Sequence, residues 1–125
     1  PKILVAEDER DIGDLSRFTL RFAGFEVMLV ANGIEAIEKA SHEQPDLIIL
    51  DVRMPKMTGY EVCRQLKGNP VTSAIPIVFL SAKGRDGEIQ QGLDLGAMEY
   101  IVKPFAPDDL VNQVKDILQR AASPG

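Results

Sequence analysis

The feature of this sequence that most constrains its fold is the alternation of short apolar runs with stretches of helical periodicity. Five apolar runs have the length of a strand, at residues 3–6, 27–30, 47–50, 77–80 and 100–102. Between these runs, apolar residues recur at the spacing of an amphipathic helix. Strands that alternate with helices form a parallel sheet whose two faces the helices cover. The sequence therefore predicts a single α/β domain with five strands and five helices.

The composition of the runs predicts the order of the strands. The runs at 3–6, 47–50 and 77–80 are apolar throughout, which is typical of central strands buried on both faces. The run at 100–102 is short and Glu26 opens the second strand, and both features favour edge positions. These assignments correspond to a doubly wound, flavodoxin-like sheet with the strand order 2-1-3-4-5.

Helix starts are marked by local sequence signals. Asn32 and Thr58 each stand three positions before a glutamate, Glu35 and Glu61, which is typical of capping boxes. Pro107 suits the first position of the last helix. An amphipathic stripe normally faces the core. Such stripes lie at Ile12, Leu15, Thr19 and Phe22 in the first helix and at Leu110, Val114, Ile117, Leu118 and Ala121 in the last.

Size and composition limit the function classes. The chain has 125 residues, of which 45% are hydrophobic and 26% charged, as expected for one soluble domain. A net charge of −5 argues against direct binding to nucleic acid. No apolar run is long enough to cross a bilayer, so a membrane protein is not expected. The single cysteine, Cys63, is expected to be buried and inert, and a cytoplasmic location fits.

Polar residues follow four of the five predicted strands. Glu7 and Asp8 come after the first strand, Asp51 after the third, Ser81 after the fourth and Lys103 after the fifth. Ligands of doubly wound sheets bind beyond the carboxyl ends of the strands. Each of these residues alone is more often a cap, a turn or a solvated side chain. Because all of them fall on the predicted rim, we expect them to form one site.

The chemistry of this set favours phosphoryl transfer. Crowded carboxylates repel one another, and a hard divalent cation such as Mg²⁺, or Mn²⁺, relieves that repulsion. The cation can then attract a phosphoryl group, which the carboxylates alone would repel. An aspartate is an established nucleophile for phosphorus. Lys103 can pair with a phosphoryl oxygen and Ser81 can donate a hydrogen bond to another.

Four segments resemble the receiver domains of two-component response regulators. They are ILVAEDE (residues 3–9), PDLIILDVRMPKMTG (residues 45–59), PIVFLSAK (residues 76–83) and GAMEYIVKPF (residues 96–105). The resemblance covers nearly the whole chain and implies a phosphorelay domain over residues 1–121, followed by a tail or linker at 122–125. It also implies that a sensor histidine kinase or a histidine phosphotransfer protein donates the phosphoryl group.

The same resemblance assigns roles to individual residues. Asp51 matches the phosphoacceptor and, with Asp8, a direct metal ligand. Glu7 matches a residue that contacts the metal through water, and Arg53 matches a position whose backbone carbonyl binds it. Arg53 and Lys83, each two residues beyond an active-site residue, match positions that tune dephosphorylation. We therefore expect both to affect the lifetime of the phosphoryl group.

Further residues match the parts of a switch. Lys103 matches the active-site lysine, and the bond before Pro104 is typically cis in this family. Ser81 matches the switch hydroxyl and Tyr100 the switch aromatic. A phosphoryl group adds negative charge and acceptor oxygens. Ser81 is then expected to move toward it and Tyr100 to turn inward, which changes the surface of the fourth helix, fifth strand and fifth helix that a downstream effector reads.

Three alternatives remain open on the sequence alone. A flavin-mononucleotide carrier needs a phosphate-binding loop after the first strand, where the acidic residues 7–9 would repel phosphate. An aspartyl-nucleophile phosphatase usually has a second aspartate where Arg53 stands. A degenerate receiver would act only as a scaffold. We expect a monomer or a weak phosphorylation-dependent dimer that catalyses its own phosphorylation and dephosphorylation at Asp51 and is not a multiple-turnover enzyme.

Overall fold

The computed structural model describes residues 1–82 and 86–122. Its strands are β1 (Lys2–Ala6), β2 (Glu26–Val30), β3 (Leu47–Asp51), β4 (Ile77–Ala82) and β5 (Glu99–Lys103). Its helices are α1 (Arg10–Phe22), α2 (Gly33–Glu43), α3 (Gly59–Lys67), α4 (Asp86–Asp94) and α5 (Pro107–Ala122). Strands and helices alternate along the described chain, which confirms the predicted α/β class. Residues 123–125 of the predicted tail lie outside the described residues.

The five strands form one parallel sheet in the order β2-β1-β3-β4-β5, as predicted. Strand β3 is buried along its whole length, whereas the edge strand β2 begins with an exposed residue. Ala6 pairs with Leu50 in the register of β1 with β3, and Asp51 pairs with Leu80 in the register of β3 with β4. The carboxyl ends of these three strands are therefore level, and the residues that follow them share one rim.

The core is divided between the two faces of the sheet. Leu4 and Leu50 pack with Val62 of α3 on one face. Val5 packs with Val114 of α5 on the opposite face. Successive strand residues thus bury their side chains in different clusters, as expected for a strand covered on both sides. Each large aliphatic side chain buried in this way contributes about 1.5–3 kcal/mol.

The predicted helix starts of α2, α3 and α5 are confirmed. The Asn32 side chain accepts a hydrogen bond from the backbone N–H of Glu35 at 3.0 Å, and its amide donates to the Glu35 carboxylate at 2.6 Å. Thr58 accepts from the backbone N–H of Glu61 at 3.3 Å. Helix α5 begins at Pro107. Each polar cap satisfies a backbone donor that the helix leaves unpaired, which is worth about 1 kcal/mol.

Helix α1 turns a different face to the sheet from the one that its apolar stripe predicted. Leu15 is 42% exposed and Phe22 is 87% exposed, and Phe18 on the same side is 72% exposed. The buried residues of this helix are Gly13, Ser16 and Leu20. The stripe thus marks a helix correctly, since α1 spans Arg10–Phe22, but Leu15 and Phe22 do not face the sheet. The stripe of α5 is largely confirmed, with Leu110, Val114 and Ile117 buried, Leu118 half-buried and Ala121 exposed.

Small residues explain the orientation of α1. A Cβ atom placed on Gly13 would lie 3.2 Å from the methyl carbons of Leu29 in β2, so the missing side chain lets the helix approach the sheet closely. The Ser16 hydroxyl donates to the carbonyl of Ile12 at 2.8 Å, which satisfies its hydrogen-bonding needs inside the helix. The contact face of α1 thus consists partly of residues that an apolar pattern does not count.

The predictions for Cys63 and for membrane crossing can also be compared with the structure. Cys63 is fully buried in α3, and burial raises the pKa of its thiol, which fits an inert side chain. Across the described ranges, no helix combines the length and apolar character that a membrane crossing requires.

Candidate functional site

The polar residues predicted at the rim occupy the carboxyl ends of four strands. Glu7 directly follows β1, Asp51 ends β3, Ser81 lies near the end of β4 and Lys103 ends β5. Glu7, Asp51 and Ser81 are all buried, at no more than 3% exposure. The backbone N–H of Glu7 donates to the carbonyl of Val30 at 3.0 Å, which fixes the turn after β1. The rim therefore places polar side chains inside the protein rather than on its surface.

Three carboxylates meet at this rim. Oxygen atoms of Glu7, Asp8 and Asp51 all lie within 4.8 Å of one another, and Asp8 is the exposed member. The backbone N–H of Arg53 donates to Asp51 Oδ1 at 3.3 Å and helps to orient that carboxylate. Converging carboxylate oxygens are the ligands that hard divalent cations prefer. The group could therefore hold a metal ion.

Lys103 is the counterion of the buried carboxylates. Its Nζ atom lies 3.0 Å from Glu7 Oε1 and 3.3 Å from Asp51 Oδ1, and its side chain is 12% exposed. The same Nζ atom lies 3.5 Å from Glu9 Oε1. Glu9 has no role in the sequence-based predictions, although it belongs to the acidic residues 7–9, of which the resemblance accounts only for Glu7 and Asp8. Lys103 is thus shared among three carboxylates.

The electrostatics of the site follow from burial and crowding. Burial raises the pKa of Glu7 to about 8, and its hydrogen bond with Asp51 and the negative charge of Asp51 act in the same direction. Burial also raises the pKa of Asp51, against the opposing hydrogen bond from Glu7 and the charge of Lys103. These two carboxyl groups hold a proton more tightly than carboxyl groups in water do. A divalent cation would take the place of that proton.

The pKa of Lys103 is set by the same neighbours. Burial works to lower it, but the hydrogen bond with Glu7 and the charge of Asp51 outweigh burial, and the pKa rises above its ordinary value. The ammonium group therefore stays charged at neutral pH. A permanent positive charge beside Asp51 suits the binding of an anion.

The backbone around Asp51 is held by the start of α3. A Cβ atom on Gly59 would overlap with the carbonyl oxygen of Asp51, so only glycine allows this approach. The backbone N–H of Gly59 donates to the carbonyl of Val52 at 2.9 Å. The close packing connects the first residue of α3 directly to the end of β3. Asp51 is thereby held by a rigid element and not by a free loop.

A cavity of about 400 Å³ opens above Asp51. The buried residues Asp51 and Ser81 line it together with Lys103. The full lining consists of Glu9, Ile12, Asp51, Val52, Arg53, Leu80, Ser81, Ala82, Lys103 and Pro104. The space accommodates a phosphoryl group next to a carboxylate, a lysine and a hydroxyl group.

Tyr100, Pro104 and Lys83 are the remaining residues named in the sequence-based predictions. Tyr100 is half-buried on β5 and pairs with Phe79 of β4 in the sheet register. The ring of Phe79 contacts that of Tyr60 in α3, with centroids 5.4 Å apart and planes at 67°. The Lys103–Pro104 bond is cis, as expected from the family resemblance. Lys83 lies outside the described residues.

A doubly wound parallel sheet with this acidic rim and its lysine defines the class of response regulators of two-component systems. The family model for the response regulator receiver domain matches residues 3–115, and the chain belongs to this family. The family assignment replaces the flavin-binding carrier considered from the sequence.

Relatives and solved structures agree with this assignment. The chain is 43% identical over 121 residues to the phosphate regulon transcriptional regulatory protein PhoB of Rhizobium meliloti, covering 97% of the chain and 53% of that protein. It is 43% identical over 120 residues to the alkaline phosphatase synthesis transcriptional regulatory protein PhoP of Bacillus subtilis, covering 96% and 49%. The chain thus spans about half the length of these curated relatives.

Two solved structures show the same fold. A putative response regulator from Chloroflexus aurantiacus superposes with a TM-score of 0.91 at 36% identity, covering 95% of this chain and 98% of that one. The chemotaxis response regulator CheY4 of Vibrio cholerae superposes with a TM-score of 0.87 at 34% identity, covering 93% and 97%. Both likenesses extend over nearly the whole of each chain.

Proposed function

We propose that the domain, over residues 1–121, accepts a phosphoryl group on Asp51 in a Mg²⁺-dependent reaction and passes the signal to a downstream effector. The observation that carries this proposal is the meeting of opposite charges at one cavity. Oxygen atoms of Glu7, Asp8 and Asp51 lie within 4.8 Å of one another, and Lys103 Nζ lies 3.3 Å from Asp51 Oδ1. A cation and a lysine together attract the phosphoryl anion to a carboxylate nucleophile.

The residues present fit a magnesium ion, with Mn²⁺ as the alternative. The carboxylates of Asp8 and Asp51 and the backbone carbonyl of Arg53 would bind the ion directly, and Glu7 would contact it through water. Support comes from the hard oxygen donors, which suit Mg²⁺, and from the raised pKa of Glu7. The raised pKa indicates that the crowded carboxylates need a proton or a cation to neutralise them. When bound, the ion neutralises charge on the transferring phosphoryl oxygens.

The transfer step places each group in a defined role. A carboxylate oxygen of Asp51 attacks phosphorus, the phosphorus–nitrogen bond of the phosphohistidine donor breaks, and its electron pair leaves with the imidazole ring. Lys103 pairs with one phosphoryl oxygen, and the Ser81 hydroxyl donates a hydrogen bond to another. The donor is a sensor histidine kinase or a histidine phosphotransfer protein. The reaction is a single stoichiometric transfer, so the domain is not a multiple-turnover enzyme.

The output follows from the position of Tyr100. Phosphorylation draws Ser81 toward the new anion, and Tyr100 of β5 turns inward behind it. The surface formed by α4, β5 and α5 changes, and an effector reads that surface. The domain acts in the cytoplasm, as a monomer or as a weak dimer that phosphorylation favours. If beryllofluoride, a phosphoryl mimic, leaves the exposure of the Tyr100 ring unchanged, this account of the output is wrong.

The phosphoacceptor assignment is tested with a pair of aspartates at the two ends of β3. Acetyl phosphate and Mg²⁺ should add one phosphoryl group to the protein, measured by intact mass. Asp51→Asn should abolish the addition. Asp46→Asn should preserve it, because Asp46 is exposed, lies before β3, and its carboxylate accepts the backbone N–H of Lys2 at 2.7 Å, away from the cavity.

The same experiment separates the alternatives. Repeated turnover of a phosphate monoester would favour an aspartyl-nucleophile phosphatase. No phosphorylation from small donors or from a phosphohistidine donor would favour a degenerate receiver that acts as a scaffold.

A further inference from the structure

Glu9 is one of the residues that line the cavity next to Asp51. Its side chain is 61% exposed and pairs with Lys103 Nζ at 3.5 Å. Glu9 is the N-cap of α1, but its side chain makes no capping hydrogen bond. The helix therefore leaves this carboxylate available to the cavity, and the ion pair with Lys103 keeps it directed there. Asp51 lines the same cavity and is buried, so we call its side of the cavity the floor and the side of the exposed Glu9 the mouth.

We infer that Glu9 is a specificity-determining residue that favours phosphoramidate donors, such as phosphohistidine, over acyl phosphates. The inference rests on the proposed function, because it concerns the choice of donor for Asp51. It assigns to Glu9 a role different from metal binding, since Glu9 is not one of the three carboxylates that converge within 4.8 Å.

The position of the leaving group decides whether Glu9 affects the reaction. The nucleophile and the leaving group of phosphoryl transfer are roughly in line, on opposite sides of phosphorus. Because Asp51 attacks from the floor, the leaving group must face the mouth, where Glu9 stands. Charge that develops on the leaving group is therefore felt by the Glu9 carboxylate.

The two donor classes place different charge at that position. With an acyl phosphate, the phosphorus–oxygen bond breaks and the electron pair leaves on a carboxylate, so negative charge grows beside Glu9. With a phosphoramidate, the leaving amine or imidazole is already protonated before transfer; the phosphorus–nitrogen bond breaks, its electron pair goes to nitrogen, and the group leaves neutral. Glu9 repels the first leaving group and tolerates the second.

Glu9 also competes for Lys103. The ammonium group is shared among Glu7, Asp51 and Glu9 before any phosphoryl group arrives. An incoming phosphoryl oxygen must displace at least part of this pairing. The competition is strongest for the donor that brings the most negative charge to the mouth, which is again the acyl phosphate.

The test compares two donors on the full chain with Mg²⁺ present. The second-order rate constants of phosphorylation by acetyl phosphate and by phosphoramidate are measured for wild type, Glu9→Gln and Asp11→Asn. Asp11 is a matched control because it is an exposed carboxylate in the first turn of α1 and does not line the cavity. Replacing Glu9 should raise the acetyl phosphate rate about threefold to fivefold and leave the phosphoramidate rate nearly unchanged, and added salt should shrink the difference.

The ratio of the two rate constants decides the outcome. A ratio that is the same in Glu9→Gln and in wild type would overturn the inference. So would an equal change of the ratio in Asp11→Asn, because net charge alone would then explain the effect. Failure of the proposed function looks different, since wild type would accept no phosphoryl group from either donor.

Discussion

Both ends of the parallel sheet carry a lysine surrounded by carboxylates, yet the two clusters differ in burial. At the amino end, Lys2 Nζ lies 3.4 Å from Glu43 Oε1 and 3.9 Å from Glu26 Oε2. These glutamate side chains are 41% and 69% exposed. Water screens such pairs, and each contributes no more than about 1 kcal/mol. The amino-end cluster is therefore a solvated surface feature.

At the carboxyl end, similar distances occur in a different environment. Lys103 Nζ lies 3.0 Å from Glu7 and 3.3 Å from Asp51, whose side chains are 0% and 5% exposed. Buried charges lose their hydration and must be neutralised by a partner, a proton or a cation. Burial, and not the set of residue types, therefore distinguishes the carboxyl-end cluster from the amino-end one. Variants at the two ends test this difference directly.

The largest expected difference concerns the pH dependence of stability in metal-free protein. The pKa of Glu7 is raised to about 8 in the folded state, above its ordinary value. A raised pKa contributes stability at pH values below the unfolded pKa, and that contribution is lost as the pH rises through the folded pKa. Between about pH 5 and pH 8, Glu7 should therefore lower the free energy of unfolding by roughly 3–4 kcal/mol.

Urea denaturation with EDTA across this range measures the effect. Relative to Glu7→Gln, the free energy of unfolding of wild type should fall as the pH rises from 5 to 8. Glu43→Gln, at the amino end, should show no comparable change. An equal pH dependence in both variants would mean that burial does not distinguish the two ends.

A somewhat smaller difference is expected from the two lysines. Lys103→Met leaves two buried carboxylates without their counterion and should lower the free energy of unfolding at pH 8 by about 3 kcal/mol in EDTA. Lys2→Met removes only exposed pairs and should cost less than about 1 kcal/mol. Chemical denaturation of both variants gives the comparison. If the two lysines cost the same, the carboxyl-end cluster is as solvated as the amino-end one.

Magnesium should stabilise the protein through the carboxyl end alone. At a hundredfold excess over its Kd, a ligand that binds only the folded state adds about 2.7 kcal/mol. Asp8→Asn should abolish most of this gain, because it removes one of the three converging carboxylates. Asp46→Asn should retain it. Stabilisation that survives Asp8→Asn would place the cation elsewhere.

Much of the fold could be predicted from the sequence because its signals are local. The composition of the apolar strand runs predicted the strand order, and the polar caps at Asn32 and Thr58 predicted helix starts. The facing of α1 could not be predicted. Its contact face includes Gly13 and Ser16, and close approach depends on the shape of the neighbouring strand. Phe22 belongs to the apolar stripe and is nevertheless exposed, because apolar periodicity measures hydrophobicity and not the fit of a side chain to its neighbours.

The members of the site could also be anticipated, since parallel strands end at a common rim. Their individual environments could not. Glu7 and Asp8 are neighbours in sequence, but Glu7 is buried and Asp8 is exposed. The contact between Glu9 and Lys103 joins residues far apart in the chain and depends on the position of β5. Burial and long-range pairing set the pKa of Glu7, and neither can be predicted from a short sequence motif.

The most direct test of the account is to locate the phosphoryl group. The protein is incubated with acetyl phosphate, with Mg²⁺ or with EDTA, and the acyl phosphate is reduced by borohydride before peptide mass spectrometry. We expect one reduced residue, Asp51, and only in the presence of Mg²⁺. Modification at Glu7 or Asp8 instead, or modification of Asp51 that is as fast in EDTA, would contradict the claim that a cation held by these carboxylates prepares Asp51 for phosphorus.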